Sequence, residues 1–368
     1  MENQKVLIIG AGAAGLYAAY NLKHRQIDFE ILEASSRIGG RVKETRDLAD
    51  FPIDVGAEWL HTNPKILKDL LLFGESFDDR RFETMSYAPK AYCTYANGKI
   101  HQRNFLGLGY SEWKWKRDTW YGYLSTYILP QVQDKVHLET IVSEVRYDDD
   151  KDDSGVTVKT QDGRTFCGDK LILAVPLTVL QGDDIRFVPP LPSKKKAGLA
   201  SGNMVPGMKC FIEFSEKFYP DMQMPYGMAK AITMEGMEMF YDAAFQKDTT
   251  KNVLGYFAVQ KPAEKYTAMG SDEDIFQNIL SLLDQMYDGK ASKHYVKHHM
   301  QTWFRVPHIR GAYSYYGVKS PGPAREPLAN KVYFAGEFIP PNSSVMSSTV
   351  HGAMLSGGHA VTTMCGSK

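Results

Sequence analysis

Hydrophobic and polar positions change rhythm repeatedly along the chain, and the changes mark its elements. KVLIIG (5–10) is an apolar run, AAGLYAAYNLKHRQ (13–26) spaces its apolar residues as a helix does, and FEILEA (29–34) is apolar again. Together they predict a strand, a tight turn, a helix and a second strand, a βαβ unit of about 30 residues. Alternation returns in VHLETIVSEVRY (136–147), GVTVKTQDGRTF (155–166) and KLILAVP (170–176), and Gln161-Asp162-Gly163 predicts a hairpin turn inside the middle segment. MKCFIEF (208–214) alternates once more. A helix is expected from Ser271, which can cap it with Asp274 three residues on, to Gly289, with Ile275, Ile279, Leu282, Leu283 and Met286 on its apolar face. KVYFAGEF (331–338) and VHGAMLSGGHAV (350–361) then repeat the opening plan of strand, loop and small-residue helix. The chain is expected to leave one domain, build a second and return.

Composition narrows the class. The 368 residues are 43% hydrophobic and 23% charged, enough for one large core or two interleaved lobes. With 43 basic against 43 acidic residues the net charge is zero, so nucleic acid and anionic membranes are not expected partners. Cys93, Cys167, Cys210 and Cys365 share no metal-like or CxxC spacing, which points to free thiols in a reducing compartment. No apolar run approaches the roughly 20 residues of a membrane span, and no leader precedes the first strand, so a cytoplasmic protein without a transmembrane segment is expected. His298 and His299 fall on opposite faces of a strand, and no metal site is expected.

Candidate chemistry begins at Gly10, Gly12 and Gly15. With Ala13 and Ala14 they would let a pyrophosphate approach the backbone, and the helix N-terminus would offer it free N–H groups. Glu33, eighteen residues after Gly15, ends the second strand where a carboxylate can accept hydrogen bonds from ribose hydroxyls; its charge disfavours a 2′-phosphate. The next stretch, EASSRIGGRV (33–42), resembles the flavin-containing amine oxidase superfamily of monoamine oxidases, polyamine oxidases and the catalytic lobe of lysine-specific histone demethylases. The resemblance continues in family order through IDVGAEWLH (53–61), LILAVPLTVL with IRFVPPLP (171–192), MKCFIEF, TWFRVPHIRGAYSYYG (302–317) and VYFAGEF with STVHGAMLSGG (332–358), nearly the whole chain.

This resemblance implies an α/β fold: a Rossmann-like FAD-binding domain of the glutathione-reductase type over 1–80, 131–203 and 325–368, interleaved with a truncated α+β substrate domain over 81–130 and 204–324. It implies non-covalent FAD, because Ala312 stands where monoamine oxidases carry the cysteine bonded to flavin. Ala34, Gly40 and Arg41 would adjoin the ribose, diphosphate and flavin. Gly56, Ala57, Glu58 and Trp59 would pass the ring, Val142 would meet adenine through its backbone, and Trp303 would pack by the flavin. Gly336 and Glu337 would reach the ribityl chain or pyrophosphate, and the Val350 N–H would point at the flavin O2. Lys209 matches the lysine that holds a water against flavin N5, although pattern alone makes it a solvated residue on the outer face of its strand. Tyr313 matches one wall of the aromatic cage in front of the flavin and Thr349 falls on the other, usually aromatic, wall. His61 stands where several polyamine oxidases keep a histidine near the substrate nitrogen.

The implied reaction passes hydride from the carbon beside the nitrogen of a secondary or polyamine-like amine to flavin, with O2 reduced to H2O2. A desaturase or porphyrinogen-type oxidase, and a catalytically weak flavoprotein serving as a partner scaffold, are the competing readings. About 75 residues separate GAEWLH from the strand at 136, short for the family, so a site more open than a tunnel is expected. Tyr110, Trp113, Trp115, Trp120, Tyr121, Tyr123 and Tyr127 could cover the entrance, hold a homo-oligomer or other protein partner, or simply pack. Eight of sixteen methionines lie between Met204 and Met239, suited either to an adaptable wall or to core.

Overall fold

The structure, a computed structural model, describes residues 4–72, 74–89, 91–104, 112–147, 155–225, 235–314 and 321–366. Tyr110, Met228, Met234 and Tyr315–Gly317 of the quoted motifs lie outside them. A five-stranded parallel sheet orders Val332–Phe334, Lys170–Leu173, Lys5–Ile9, Asp28–Leu32 and Val136–His137. Because side chains alternate across a strand, Val6 and Ile8 pack under the helices Ala13–His24 and Val350–Cys365. Leu7 and Ile9 face a second, four-stranded sheet through Val145, Val156 and Val158. Both faces are covered, as a parallel sheet requires. Gly357 lets the two helices meet, since a Cβ there would lie 2.1 Å from the Ala14 carbonyl oxygen.

The alternating stretch 136–147 does not form one strand. Val136–His137 joins the parallel sheet and Val142–Arg146 the four-stranded one. Between them Glu139 takes a φ of 50° and the backbone bonds back to Glu33 and Ser35. The hairpin between Val156–Thr160 and Thr165–Gly168 turns at Gln161-Asp162-Gly163, with Gly163 at φ 86°.

The third sheet has seven strands in the order Tyr295–Thr302, Gly207–Phe214, Asn252–Gln260, Gly236–Asp242, Met222–Gln223, Ala91–Ala96 and Lys99–Asn104. One face packs against the helix Asp272–Tyr287 through Met208, Cys210 and Ile212. That helix opens on a complete capping box, Ser271 Oγ accepting from the Asp274 N–H and Asp274 accepting from the Ser271 N–H at 2.8 Å. Ser271→Ala is expected to cost about 1 kcal/mol, seen as a lower urea midpoint with an unchanged slope.

The opposite face carries Phe211 into a core with Phe51, Ile53, Val55 and Tyr87. Gly207–Phe214 is therefore buried along its whole length and paired on both sides, so Lys209 is neither at an edge nor solvated; it is 4% exposed. The aromatic stretch also turns inward. Trp115, Trp120, Tyr123 and Tyr127 belong to the core beneath the parallel sheet's helices, Tyr121 is half-buried and Trp113 is exposed. This removes most of the aromatic surface on which an entrance cover or partner contact would rest. No helix among the described residues is long and apolar enough to cross a membrane.

Candidate active site

A cavity of about 490 Å³ opens between the ends of the parallel strands and the seven-stranded sheet. Gly10, Gly12, Ala13, Ala14, Glu33, Ala34, Gly40, Arg41 and Val142 line one part of it. Gly56, Ala57, Glu58, Trp59, His61, Lys209, Trp303, Tyr313, Gly336, Glu337, Thr349 and Val350 line the remainder. Gly15 alone of the expected site residues is outside it. Its role is to let the helix pack on the turn, for a Cβ at Gly15 would lie 1.9 Å from the Gly10 carbonyl oxygen. Gly12 differs: its φ is −81°, and a Cβ there meets nothing within 4 Å.

This end of the cavity fits a dinucleotide. No side chain caps the helix Ala13–His24 at Gly12, leaving its first-turn N–H groups to an anion. Glu33 is fixed at the turn by accepting from the Ala11 N–H at 2.6 Å and the Ser35 N–H at 2.9 Å. Arg41 and Glu337, both expected to reach the cofactor, are paired at 2.8 Å; Arg41 also donates to the Ala312 carbonyl at 3.1 Å, and Glu337 accepts from the Ser314 N–H at 3.1 Å. The Trp303 indole N–H donates to the Val55 carbonyl at 3.1 Å, clamping the ring beside Gly56.

At the other end Met208, Met237, Met239 and Phe257 give an apolar wall. Lys209 and Glu58 interrupt it. Lys209 Nζ lies 2.6 Å from Glu58 Oε2, and Lys114, buried on the short strand Glu112–Trp115, lies 2.8 Å from Glu58 Oε1. Burial alone would raise the Glu58 carboxyl, but the two lysines outweigh it and hold the carboxyl down to about 2. Burial pushes Lys209 below the ordinary lysine range while Glu58 opposes the fall. Asp54, buried beside them, is raised well above a normal aspartate by burial and by Glu58. Glu58, expected against the cofactor, lines the cavity with its carboxylate held by two lysines, and Lys114 escaped notice because it sits among tryptophans that read as packing.

Thr349 caps the helix Val350–Cys365. Its hydroxyl donates to the Met346 carbonyl at 2.9 Å and accepts from the Gly352 N–H at 3.0 Å. With that proton spent, the His351 Nε2 at 3.3 Å must be the donor, which fixes the histidine tautomer. Thr349 consequently offers the cavity a wall and no free hydroxyl proton. His61, half-exposed, has Nδ1 3.1 Å from Glu112 Oε2. Tyr313 pairs with Val205 in a two-residue strand that sets its ring at the cavity.

His351 was missed although it lies inside a quoted motif. It is 4% exposed and its Nδ1 has no hydrogen-bond partner among the described residues. Burial, and secondarily the neighbouring His61, lowers its pKa from 6.5 to about 4. Between these values the unfolded chain binds a proton that the folded protein does not, so stability falls as pH drops from 6.5 towards 4. His351→Gln should flatten that limb of the urea-midpoint curve; an unchanged slope would contradict a neutral buried imidazole.

Residues 117–365, well over half of the chain, match the family model described as flavin containing amine oxidoreductase. The chain belongs to that family. This flavin-containing amine oxidoreductase also matches the NAD(P)-binding Rossmann-like domain over 8–71. It is 24% identical to polyamine oxidase 4 of Oryza sativa subsp. japonica over 432 residues, covering 96% of this chain and 86% of the relative. It is likewise 24% identical to the human lysine-specific histone demethylase 2, covering 97% of this chain and 53% of the relative. Another relative, lysine-specific histone demethylase 1 homolog 3 of Arabidopsis thaliana, is covered over only 30% of its length. Among solved structures, cyclohexylamine oxidase from Brevibacterium oxydans IH-35A superposes with a TM-score of 0.76 at 17% identity, covering 98% of both chains. Wild-type putrescine oxidase bound to putrescine superposes at 0.73 and 15% identity, covering 98% of this chain and 99% of that one. Membership makes the amine oxidoreductase an α/β flavoenzyme with a Rossmann-like domain, acting on amines with FAD as the implied cofactor.

Proposed function

We propose that the protein is a cytoplasmic amine oxidase that takes a secondary or polyamine-like amine and holds FAD without a covalent bond. The observation that carries this reading is a single cavity joining an uncapped helix N-terminus at one end to Lys209 and Tyr313 at the other. Polyamine oxidases among the relatives support the substrate class. Bound FAD would accept hydride from the carbon beside the amine nitrogen, giving an imine that hydrolyses to aldehyde and amine, and would pass the electrons to O2 to give H2O2.

The residues supply the rest. The glycine turn, Glu33 and the first turn of the following helix hold the nucleotide half, with 1–80, 131–203 and 325–368 forming its domain. Residues 81–130 and 204–324 form the amine side. Its methionine and phenylalanine wall disfavours an ammonium, so the amine reacts neutral. Tyr313 and Thr349 bound it laterally, and His61 meets its nitrogen from the wetter rim. Ala312 lines the cavity and none of the four cysteines does, which supports non-covalent attachment.

The test is anaerobic addition of an amine panel to the yellow protein while the flavin absorbance is followed. Bleaching by polyamines or N-alkylamines is expected. Bleaching only by porphyrinogens or polyenes would overturn the substrate class, and no bleaching by any compound would leave a scaffold.

A further inference from the structure

Lys209 at the cavity wall is the end of a chain of buried charges whose other members, Glu58 and Lys114, have no part in the proposed reaction. Lys114, Glu58 and Lys209 come from three separate strands or loops and meet through the two oxygens of one carboxylate. Tyr241 donates to the Glu58 oxygen that Lys209 takes, at 2.5 Å. Lys114 also stands 4.7 Å from the Trp59 ring centre, 5.2 Å from Tyr87 and 4.6 Å from Tyr241, so three aromatic faces fix its ammonium. Glu58 is the one member that lines both the large cavity and the small polar pocket behind it, where Asp54, Asp118 and Lys247 also lie. A carboxylate so held is a fixed anchor, not a floppy counter-ion.

We propose that Glu58 is a positioning residue that keeps Lys209 protonated at the cavity wall, and that Lys114 opposes it by electrostatic repulsion, so that the pair sets how readily Lys209 gives up its proton. The inference rests on the oxidase reading for its purpose but not for its geometry. Glu58 favours the Lys209 ammonium by direct contact, and Lys114, two cations sharing one anion, disfavours it. Other charged or titratable groups around the cluster include Asp54, on which Glu44 also acts, Asp118, Lys247, Tyr87 and Tyr241. Asp54 is raised well above the ordinary aspartate range, first by burial and then by Glu58. Lys247, lowered to about 8 chiefly by burial, donates to the backbone carbonyls of Trp115 and Lys116 at 3.0 and 3.2 Å. Asp118 is paired with Arg81 at 2.6 Å.

Opposite signs make the test. The FAD-bound protein, labelled with carbon-13 at the lysine ε position, is titrated by NMR, the Lys209 signal being the one lost in Lys209→Met. Glu58→Gln should move its midpoint down by about one pH unit or more, a tenfold change in protonation, and Lys114→Met should move it up. Glu58→Asp should restore most of the wild-type value. The basic limb of the flavin reoxidation rate against pH should shift with the same signs. If one variant fails to retain FAD, the other still carries a signed expectation. Midpoints that stay within error, or move together, overturn the inference. A protein that binds FAD and shows both shifts, yet is reduced by no amine, would sink the oxidase reading while leaving this one intact.

Discussion

Gly12→Ala and Gly15→Ala are expected to separate nucleotide binding from folding, although the two glycines lie three residues apart. At Gly12 the backbone is in an ordinary region and an added methyl meets no protein atom within 4 Å, so the fold should keep its melting temperature. The methyl instead enters the space beside the uncapped helix N-terminus, where the pyrophosphate is proposed to sit. FAD affinity should fall by about tenfold, the equivalent of 1.4 kcal/mol. At Gly15 the same methyl would lie 1.9 Å from the Gly10 carbonyl oxygen and 3.3 Å from Ala174 Cβ. It cannot be accommodated without moving the helix off the sheet, at a cost of about 1–3 kcal/mol or more. Purified Gly15→Ala should be colourless and melt lower. Fluorescence titration with FAD and thermal melts of the apo forms read the two effects apart; a Gly12→Ala protein with wild-type affinity would remove the pyrophosphate from this turn.

This contrast shows what the sequence could and could not convey. The βαβ unit, the hairpin at Gly163 and the capping box at Ser271 are legible because each is specified within a few neighbouring residues. VHLETIVSEVRY misleads because alternation reports faces and not partners: Glu139 breaks it, and its halves join different sheets. In MKCFIEF the two faces were right and their surroundings were not. Lys209 and Glu213 point from the polar face into protein, where Lys209 meets Glu58 and Glu213 meets Lys251 at 2.7 Å. A lysine paired with a glutamate 151 positions away leaves no local trace. Lys114 is the same case: the tryptophans flanking it in sequence suggest a surface to be covered, yet Trp115 is core and the ammonium is enclosed by Trp59, Tyr87 and Tyr241, from distant parts of the chain. His351 could have been flagged, as a histidine two residues past a threonine that caps a helix, but its desolvation depends on packing that periodicity does not carry.

Lys209→Met should slow reoxidation of the flavin by oxygen about 10²–10³-fold, the range found when one preorganised electrostatic contact is lost, while changing anaerobic reduction by the amine little. The asymmetry follows from charge. Oxygen enters neutral and gains electrons, so negative charge grows on it, and an ammonium 4% exposed in a low-dielectric wall acts on that charge with little screening. Hydride loss from a neutral amine instead builds positive charge on the substrate, which Lys209 does nothing to help. Methionine keeps the side-chain length and leaves Glu58 paired with Lys114 at 2.8 Å and hydrogen-bonded by Tyr241, so the anion is not orphaned and the fold should hold. Stopped-flow measurement of each half-reaction separately decides the matter. Equal slowing of both would make Lys209 a structural member of the wall, and unchanged reoxidation would place the oxygen reaction elsewhere in the cavity.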